Sequence, residues 1–570
     1  MKAKKLGSAL IAAALTIASS RPGLAADAST VGTGTIKHVL LLSIDGMHAV
    51  DFYNCAHAIP SLNDGYSYCP SLVALSQTGI NYVAAASSMP SDSFPGIAAL
   101  VTGGSPKSTG IYYDVAYDRS LAPPANTTGT GLAGGTCTPY ATPPGTTTDF
   151  DQGVDLDDTK LNGGAPGASP TEGGIASLDP TKLVRDPAAG CAPVYPWNFV
   201  RVNTIFSVVH QAGGYTAWID KHPSYSMVAG PGGTGLDDYY SPEVDSAVIP
   251  LPGVTTALGD ACSPIRDSAG ASGWNSSFQN IQCYDALRVN ALLNQIAGKT
   301  HNGAPAQVPA VFGMNFQSVY FGQSLNEPGV GAGGYLNAAA VPSAPLLNEI
   351  GFVDASIGQI VNALKDAGLY DSTLIIVTAK HGESPIDPTM YVANGANTPA
   401  TLLGTAIPFS GSPLNATGIG ATEDDVSVLW LAPGASVTDA VALLEKNATA
   451  IGLGEIYYGA SLALNYNVGG LGGYQDSRSP DIIVTPNVGM TYSGSTTMIG
   501  DHGGFGHDDT NVMLLVENPR FTPQTVSVTT RTAQVAPTIL KALGLDPRAL
   551  EAVTLEGTQA LPEIGAGLAH

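Results

Sequence analysis

Short apolar runs that stop at a polar or glycine residue recur along this chain, and they constrain its fold more than any other feature. The first run, His38–Ile44, ends at Asp45-Gly46. A continuous apolar run of this length is typical of a parallel strand buried on both faces of a sheet. The same pattern predicts further strands at residues 310–314, 374–378, 481–484 and 512–516.

Two segments carry apolar residues at helical spacing instead. One has its apolar stripe between Leu346 and Leu364 and stops at Gly368, and the other covers Val535 to Leu543. Strands that alternate with helices predict an α/β fold with a mostly parallel central sheet flanked by helices. Ligands of such sheets bind beyond the C-terminal ends of the strands, where we expect Asp45 and His381.

The N-terminal segment has the pattern of a secretory signal. Basic residues at 1–5 precede an apolar run at 6–19, and small residues follow at 23–25. This predicts a signal peptide over residues 1–26, and hence a secreted or periplasmic protein without a transmembrane anchor. The alternative is a retained membrane anchor, which needs about 20 apolar residues. We expect one domain over residues 27–570, with loop-rich insertions at about 120–200, 221–305 and 390–475.

Charge and cysteine content fit an exported protein. The formal net charge is −23, which disfavours a nucleic-acid duplex as a partner. Six cysteines are an even number and contain no CxxC pair, so disulfides are favoured over a metal cluster. Fifteen pairings exist, and sequence proximity favours Cys55–Cys69, Cys137–Cys191 and Cys262–Cys283.

The segment Ser91–Gly103 contains the strongest candidate for a reactive group. Pro95 suits the first position of a helix, so we expect Ser93 just before that helix. Backbone N–H groups at a helix start favour negative charge, and a serine becomes a nucleophile when a cation or a base activates it. The alternative, on local grounds, is that Ser93 only caps the helix.

Several motifs in order resemble the type I phosphodiesterase/nucleotide pyrophosphatase family of the alkaline phosphatase superfamily. That family has a strand ending in Asp-Gly, as at 42–46, and then a Ser or Thr nucleophile before Phe-Pro, as at 93–95. Val-Thr-Gly at 101–103 and Thr-Gly-Ile at 109–111 follow. Residues 378–382 resemble the family's strand with Asp-His-Gly, and residues 500–505 its Gly-x-His-Gly-aromatic motif. The resemblance implies an alkaline phosphatase-like catalytic domain.

The resemblance also implies a set of site residues. Ser93 would be the catalytic nucleophile. The family binds two metal ions, usually zinc, and the ligands that the resemblance implies here are Asp45, Ser93, His381 and His502. Asn315 and Gln317 are candidates for substrate binding.

Four positions depart from the family pattern. Lys380 and Gln317 stand where the family has ligand aspartates, Phe321 where it has a ligand histidine, and Gly96 where an asparagine helps to bind phosphate. Lys380 would then be a catalytic residue that replaces one metal ion. Alternatively, a single metal ion is bound with substitute ligands, or the chain has lost catalysis. The candidate substitutes, each more often structural, are Asp220, His222, Asp501, His507, Asp508 and Asp509.

These patterns predict an exported phosphoester hydrolase, with a small-molecule phosphodiester or a nucleotide pyrophosphate as its substrate. Ser93 would attack phosphorus, assisted either by Lys380 or by one or two divalent metal ions, which the resemblance implies to be Zn²⁺. The alternatives are a non-catalytic binding protein with a degraded metal site and a phosphomonoesterase of the same superfamily. The Cys/Ser-x-Pro-x-Arg signature of sulfatases is absent.

Overall fold

The computed structural model describes residues 31–32, 34–128, 132–149, 178–246, 248–263, 273–404, 423–465, 476–494 and 498–565. The predicted signal peptide lies outside the described residues. The strands of the two larger sheets are β1 His38–Ile44, β2 Gly79–Tyr82, β3 Ala217–Ile219, β4 Asp238–Tyr240, β5 Val311–Phe316, β6 Thr373–Thr378, β7 Ser427–Leu429, β8 Leu453–Tyr458, β9 Ile482–Pro486, β10 Leu514–Glu517 and β11 Gln524–Val526.

The helices alternate with these strands along most of the chain. They are α1 Ala49–His57, α2 Pro70–Ser76, α3 Ser93–Thr102, α4 Pro106–Thr109, α5 Pro196–Phe199, α6 Ile205–Gln211, α7 Phe278–Ile296, α8 Ser318–Ser324, α9 Ala344–Asp366, α10 Pro399–Leu403, α11 Val437–Lys446, α12 Gly459–Asn465, α13 His507–Thr510, α14 Val535–Ala542 and α15 Glu551–Glu556. None of the helices in the described ranges is both long and apolar enough to cross a membrane.

The central sheet has eight strands in the order β11-β2-β10-β6-β1-β5-β3-β4. Strand β1 is parallel to both neighbours, with Val39 opposite Val311 of β5 and Leu374 of β6. Strand β10 is antiparallel to β6 and to β2. The prediction of an α/β fold with a mostly parallel central sheet is therefore confirmed.

Helices cover both faces of this sheet because β1 is apolar on both. Leu40 and Leu42 pack in one hydrophobic cluster with residues of α7 and α9. Val39 and Leu41 face the other way and pack with residues of α3, α6 and α14. The period of two along a strand produces this division, and it explains why the run had no polar interruption.

The predicted buried strand at 481–484 does not belong to the central sheet. It is β9, the middle strand of a separate antiparallel sheet in the order β7-β9-β8. A short apolar run shows that a strand is buried, but it does not show which sheet the strand joins. Here β9 packs with α11 in a smaller core of its own.

The three predicted disulfides are confirmed: Cys55–Cys69, Cys137–Cys191 and Cys262–Cys283. Each joins cysteines close in sequence, with separations of 14, 54 and 21 residues. The first ties α1 to the start of α2. Disulfides of this kind are typical of oxidising compartments.

One carboxyl group deep in the fold should make stability depend on pH. Glu349 of α9 is fully buried and accepts a hydrogen bond from Nε2 of Gln282 at 2.9 Å. Burial raises the pKa of the Glu349 carboxyl well above its usual value. The folded state therefore holds this proton more tightly than the unfolded state, and stability falls as pH rises above the ordinary glutamate pKa.

We predict that Glu349→Gln raises the midpoint of thermal unfolding more at pH 8 than at pH 5. The neutral amide removes the contribution of Glu349 to the pH dependence of the free energy of unfolding. Between pH 5 and pH 8 this contribution is at most about 1.4 kcal/mol for each pH unit. Differential scanning fluorimetry at both pH values measures the effect, with the exposed Glu445→Gln of α11 as control. Equal shifts at the two pH values would contradict the prediction.

Candidate active site

Four neighbouring parallel strands deliver polar side chains to one edge of the central sheet. Strands β6, β1, β5 and β3 are adjacent, and the chain continues from each C-terminal end into the site. These ends carry Lys380 and His381 after β6, Asp45 after β1, Asn315 and Gln317 at β5, and Asp220 and Lys221 after β3. This edge is where the fold predicts a ligand site.

Asp45 lies at the middle of this group and is fully buried. Its Oδ2 accepts hydrogen bonds from Nε2 of Gln317 and from Nδ2 of Asn315, the latter at 3.1 Å. Nζ of Lys380 lies 3.2 Å from the same oxygen. Gly46 follows with φ +80°, and a Cβ there would lie 1.9 Å from Oε1 of Gln323, so the turn after β1 requires glycine.

The charges around Asp45 keep it ionised. Burial alone would raise the pKa of this carboxyl, but Lys380, His381 and Lys221 together hold the pKa well below its usual value. Nζ of Lys221 lies 4.0 Å and Nε2 of His381 3.7 Å from Oδ2. Asp45 is thus a buried anion surrounded by cations and amide donors.

Ser93 is the first residue of α3 rather than the residue before it. The helix is capped by Asp92, whose carboxylate accepts the N–H of Phe94 at 3.1 Å. Pro95 therefore occupies the third helical position and not the first, as the sequence had indicated. The first N–H groups of a helix have no partner within it, so a proline there loses no hydrogen bond. Because Asp92 is the cap, the hydroxyl of Ser93 is left for another role.

The hydroxyl of Ser93 lies between a histidine and a lysine. Its Oγ is 3.1 Å from Nε2 of His381 and accepts from Nζ of Lys221 at 3.2 Å. Nδ1 of His381 lies 2.8 Å from the carbonyl of Gly382, which can only accept, so Nδ1 carries a proton. Burial lowers the pKa of His381, and in the neutral ring the Nε2 lone pair faces Ser93. This geometry suits removal of the serine proton.

Lys380 is as buried as Asp45 and also contacts an aromatic ring. Its Nζ lies 4.6 Å from the centre of the Tyr225 ring. Burial lowers the pKa of Lys380, and the adjacent Asp45 acts in the opposite direction. A carboxylate on one side and a π face on the other hold the ammonium group in place.

Gly96 allows α3 to approach Lys380. A Cβ at position 96 would lie 2.3 Å from the backbone oxygen of Lys380. The asparagine that the family pattern has at this position would therefore collide with the main chain. The first turn of α3 and the end of β6 can come this close only because residue 96 has no side chain.

His502 lies against the imidazole ring of His381. The two rings stack with centroids 4.0 Å apart. Backbone hydrogen bonds of 3.0–3.1 Å between Ser91 and the pair Gly503 and Gly504 attach this loop to the residues that precede α3. The carboxylate of Glu383 lies 3.7 Å from Nδ1 of His502.

The two sides of the site differ in how they could hold a metal ion. On the Asp45 side, the ammonium group of Lys380 and two amides all contact Oδ2, while Oδ1 has no hydrogen-bond partner in the described part of the chain. Among the described residues, no cluster of three metal-ligating side chains includes Asp45. On the other side, His381, Glu383 and His502 each offer one ligand atom, and these atoms lie within 4.8 Å of one another. Both carboxylate oxygens of Glu383 are buried without a hydrogen-bond partner in the described part of the chain. A divalent cation would satisfy them.

Further carboxylates surround this second side. Burial, together with neighbouring acids, raises the pKa of Glu383 and of Asp425 well above the usual range. It also raises the pKa of Asp501 to about 7 and that of Asp509 to about 6. So many buried acids strengthen the case for a cation near His502.

The other sequence candidates lie in less suggestive places. Phe321 is buried and packs edge-to-face on Tyr320. His222 is 2.6 Å from Glu243, and with Asp245 the two form another group that could hold a metal ion. The remaining candidates are Asp220, which accepts from Trp218 and Asn315, Asp508, which accepts from Ile386, and His507, which is 79% exposed.

The sequence interpretation missed Lys221 and Glu383. Lys221 follows a short apolar segment, 217–219, and that signal of a strand end could have identified it. Glu383 directly follows the His381-Gly382 pair, so its place next to the site could also have been inferred. Neither is part of the family pattern, and this is why the resemblance did not point to them.

Fold and site together define an alkaline phosphatase-like protein. Residues 39–147 and 329–505 match the family "Type I phosphodiesterase / nucleotide pyrophosphatase", and the chain belongs to this family. The family is hydrolytic and metal-dependent, typically with zinc. No curated protein matches the chain.

Solved structures show the same fold at low sequence identity. Murine ectonucleotide pyrophosphatase/phosphodiesterase 5 is similar with a TM-score of 0.50 and 13% identity, over 90% of this chain and 96% of that chain. An inactive variant of the murine protein in complex with AMP gives the same values. The human protein has a TM-score of 0.49 and 13% identity, over 89% and 95% of the two chains.

We predict that Glu383→Gln weakens zinc binding by at least about tenfold, because it removes the one carboxylate among three candidate ligands. Metal content after equilibrium dialysis, and the rise in unfolding temperature on adding zinc, measure the effect. Glu243→Gln, in the other candidate group, is the matched control and should bind zinc like the wild type. Loss of zinc from the control alone would place the metal at His222 instead.

Proposed function

We propose that this protein is an exported hydrolase of phosphodiesters or nucleotide pyrophosphates, with Ser93 as its nucleophile. The observation that carries the proposal is the position of Ser93 Oγ, between Nε2 of His381 and Nζ of Lys221 at the start of a buried helix. Membership of a hydrolytic family supports the reaction type. The AMP complex of the murine relative supports a nucleotide as substrate.

The reaction proceeds through a covalent intermediate. The Ser93 oxygen forms a bond to phosphorus while the bond from phosphorus to the leaving-group oxygen breaks, and the serine proton passes to Nε2 of His381. The leaving group then takes up that proton. A water molecule next attacks phosphorus, the bond to Ser93 breaks, and the serine recovers a proton.

Several groups recognise the phosphoryl oxygens. The dipole of α3 favours negative charge beside Ser93, and Lys380 adds a full positive charge on the Asp45 side. Asn315 holds Asp45 through Nδ2, while its Oδ1 is buried without a hydrogen-bond partner in the described ranges and can accept from a substrate hydroxyl. Gln317 contributes by fixing Asp45 in place.

A divalent metal ion, zinc in the family, would be held by Glu383 and His502, because Nδ1 of His381 donates to the Gly382 carbonyl and its Nε2 takes the serine proton. When bound, it supplies positive charge that neutralises phosphate oxygens. The resemblance implied Asp45 and Ser93 as metal ligands. In this proposal their positively charged partners are Lys380 and Lys221 instead.

Export is part of the same proposal. The predicted signal peptide directs the chain out of the cytoplasm, and three disulfides suit an oxidising compartment. A strongly acidic surface keeps such a protein soluble and matches a small-molecule rather than a nucleic-acid substrate.

A non-catalytic binding protein is the second candidate. Lys380, Gln317 and Phe321 favour it, because each replaces a metal ligand of the family pattern. Such a protein would bind a nucleotide without turning it over. A phosphomonoesterase, the third candidate, would prefer p-nitrophenyl phosphate to bis(p-nitrophenyl) phosphate. Assays with a panel of phosphomonoesters and phosphodiesters therefore distinguish the three candidate functions.

We predict that Ser93→Ala lowers turnover of bis(p-nitrophenyl) phosphate to the background, because it removes the hydroxyl that lies between His381 and Lys221. Ser93→Thr should keep measurable turnover, since the family accepts either residue. Release of p-nitrophenolate measures the rate, and Ser88→Ala, whose Oγ donates to the carbonyl of Pro90, is the control. Full turnover in Ser93→Ala would disprove the mechanism.

A further inference from the structure

Two lysine side chains reach the pair formed by Ser93 and Asp45, although only one of them stands at a position of the family pattern. Nζ of Lys221 is 3.2 Å from Ser93 Oγ, and Nζ of Lys380 is 3.2 Å from Oδ2 of Asp45. They reach the site from β3 and β6, which lie on opposite sides of β1 in the sheet. Asp45 thus has a lysine on each side, and one of the two, Lys221, also contacts Ser93.

The fold holds Lys221 firmly at this point. Its backbone N–H donates to Oδ1 of Asp220 at 2.8 Å, and its carbonyl accepts from Oη of Tyr284 at 3.1 Å. Its side chain is 9% exposed, and Nζ lies 5.9 Å from the centre of the Tyr225 ring, which also contacts Lys380. These contacts restrict a long, flexible side chain and so position its ammonium group at Ser93.

Carboxylates lie among these ammonium groups. Asp45 lies within 4.0 Å of both, and Asp220 also favours the charged form of Lys380. Nζ of Lys221 is the group that reaches Ser93 Oγ, and it can donate to that oxygen as negative charge develops on it.

We propose that Lys221 is a catalytic residue, and that Lys221 and Lys380 together supply at Ser93 the positive charge that a metal ion supplies in the family. This inference rests on the proposed function of Ser93. Lys221 donates to Ser93 Oγ and stabilises the oxygen as its proton leaves for His381. Lys380 keeps a metal ion from binding Asp45, and any metal that the protein holds lies on the Glu383 side.

The covalent step can be tested without turnover of a substrate. An organofluorophosphate forms a bond from phosphorus to the Ser93 oxygen, fluoride leaves with the electrons of the P–F bond, and the serine proton passes to His381. Intact-protein mass spectrometry follows this labelling over time. The samples are the wild type before and after exhaustive chelation, Lys221→Met, Lys221→Arg and Ser93→Ala.

We expect the wild type to be labelled at the same rate before and after chelation. Lys221→Met should slow labelling by about 100-fold, the typical effect of removing one donor to a developing oxyanion. Lys221→Arg keeps the charge and should stay within about tenfold of the wild type, which also controls for misfolding. Labelling that stops on chelation, or that is as fast in Lys221→Met as in the wild type, would overturn the inference.

Failure of the proposed function gives a different result. If Ser93 is not a nucleophile, the wild type takes no label or Ser93→Ala takes it equally. If the function is correct and only the lysine inference is wrong, Ser93 is still labelled. Its labelling then stops on chelation, or it has the same rate in Lys221→Met as in the wild type.

Metal content provides an independent measurement. Lys380→Asp restores the Asp-His pair of the family, and Lys221→Met removes the second ammonium group. The double variant should bind one more zinc ion per chain than the wild type. An unchanged zinc content would mean that the lysines do not occupy the place of a metal ion, and would overturn the inference.

Discussion

The carboxylate of Asp45 is the group on which the arrangement of the site depends. It lies at the end of the middle strand of the sheet and is completely buried, so it must be compensated from within the protein. Lys380 and the amides of Asn315 and Gln317 provide that compensation from the two flanking strands. The parallel order of these strands is therefore what brings the compensating groups to one carboxylate.

The two sides of the site differ in their buried charges. The nucleophile side has two lysines with Asp45, and Asp220 acts on Lys380 as well. The side of His502 has buried carboxylates, among them Glu383, whose oxygens have no hydrogen-bond partner in the described residues. The ring of His502 stacks on that of His381. The lysines therefore favour an anion on the first side, and the carboxylates favour a cation on the second.

Much of this site could be predicted from local sequence, and the rest depends on contacts that sequence order hides. Asp45 and His381 were predicted because each follows an apolar strand, and strand ends are where such sheets bind ligands. The position of Lys221 depends on β3 lying two strands away from β1, which the short segment 217–219 does not reveal. The cap of α3 was misplaced by one residue, because a proline and a serine both fit a helix start and only the carboxylate contact of Asp92 decides between them.

Two departures from the family pattern are linked by the packing of α3 against β6. Residue 96 can have no side chain, because its Cβ would lie 2.3 Å from the backbone oxygen of Lys380. Gly96 and Lys380 are therefore linked by packing, because the main chain at 380 comes close to the helix while the Lys380 side chain contacts Asp45. Random loss of a metal site would leave Asp45 as a buried anion without compensation. Lys380 instead compensates the charge of Asp45 at Oδ2, while Oδ1 has no hydrogen-bond partner in the described residues and stays available to a ligand.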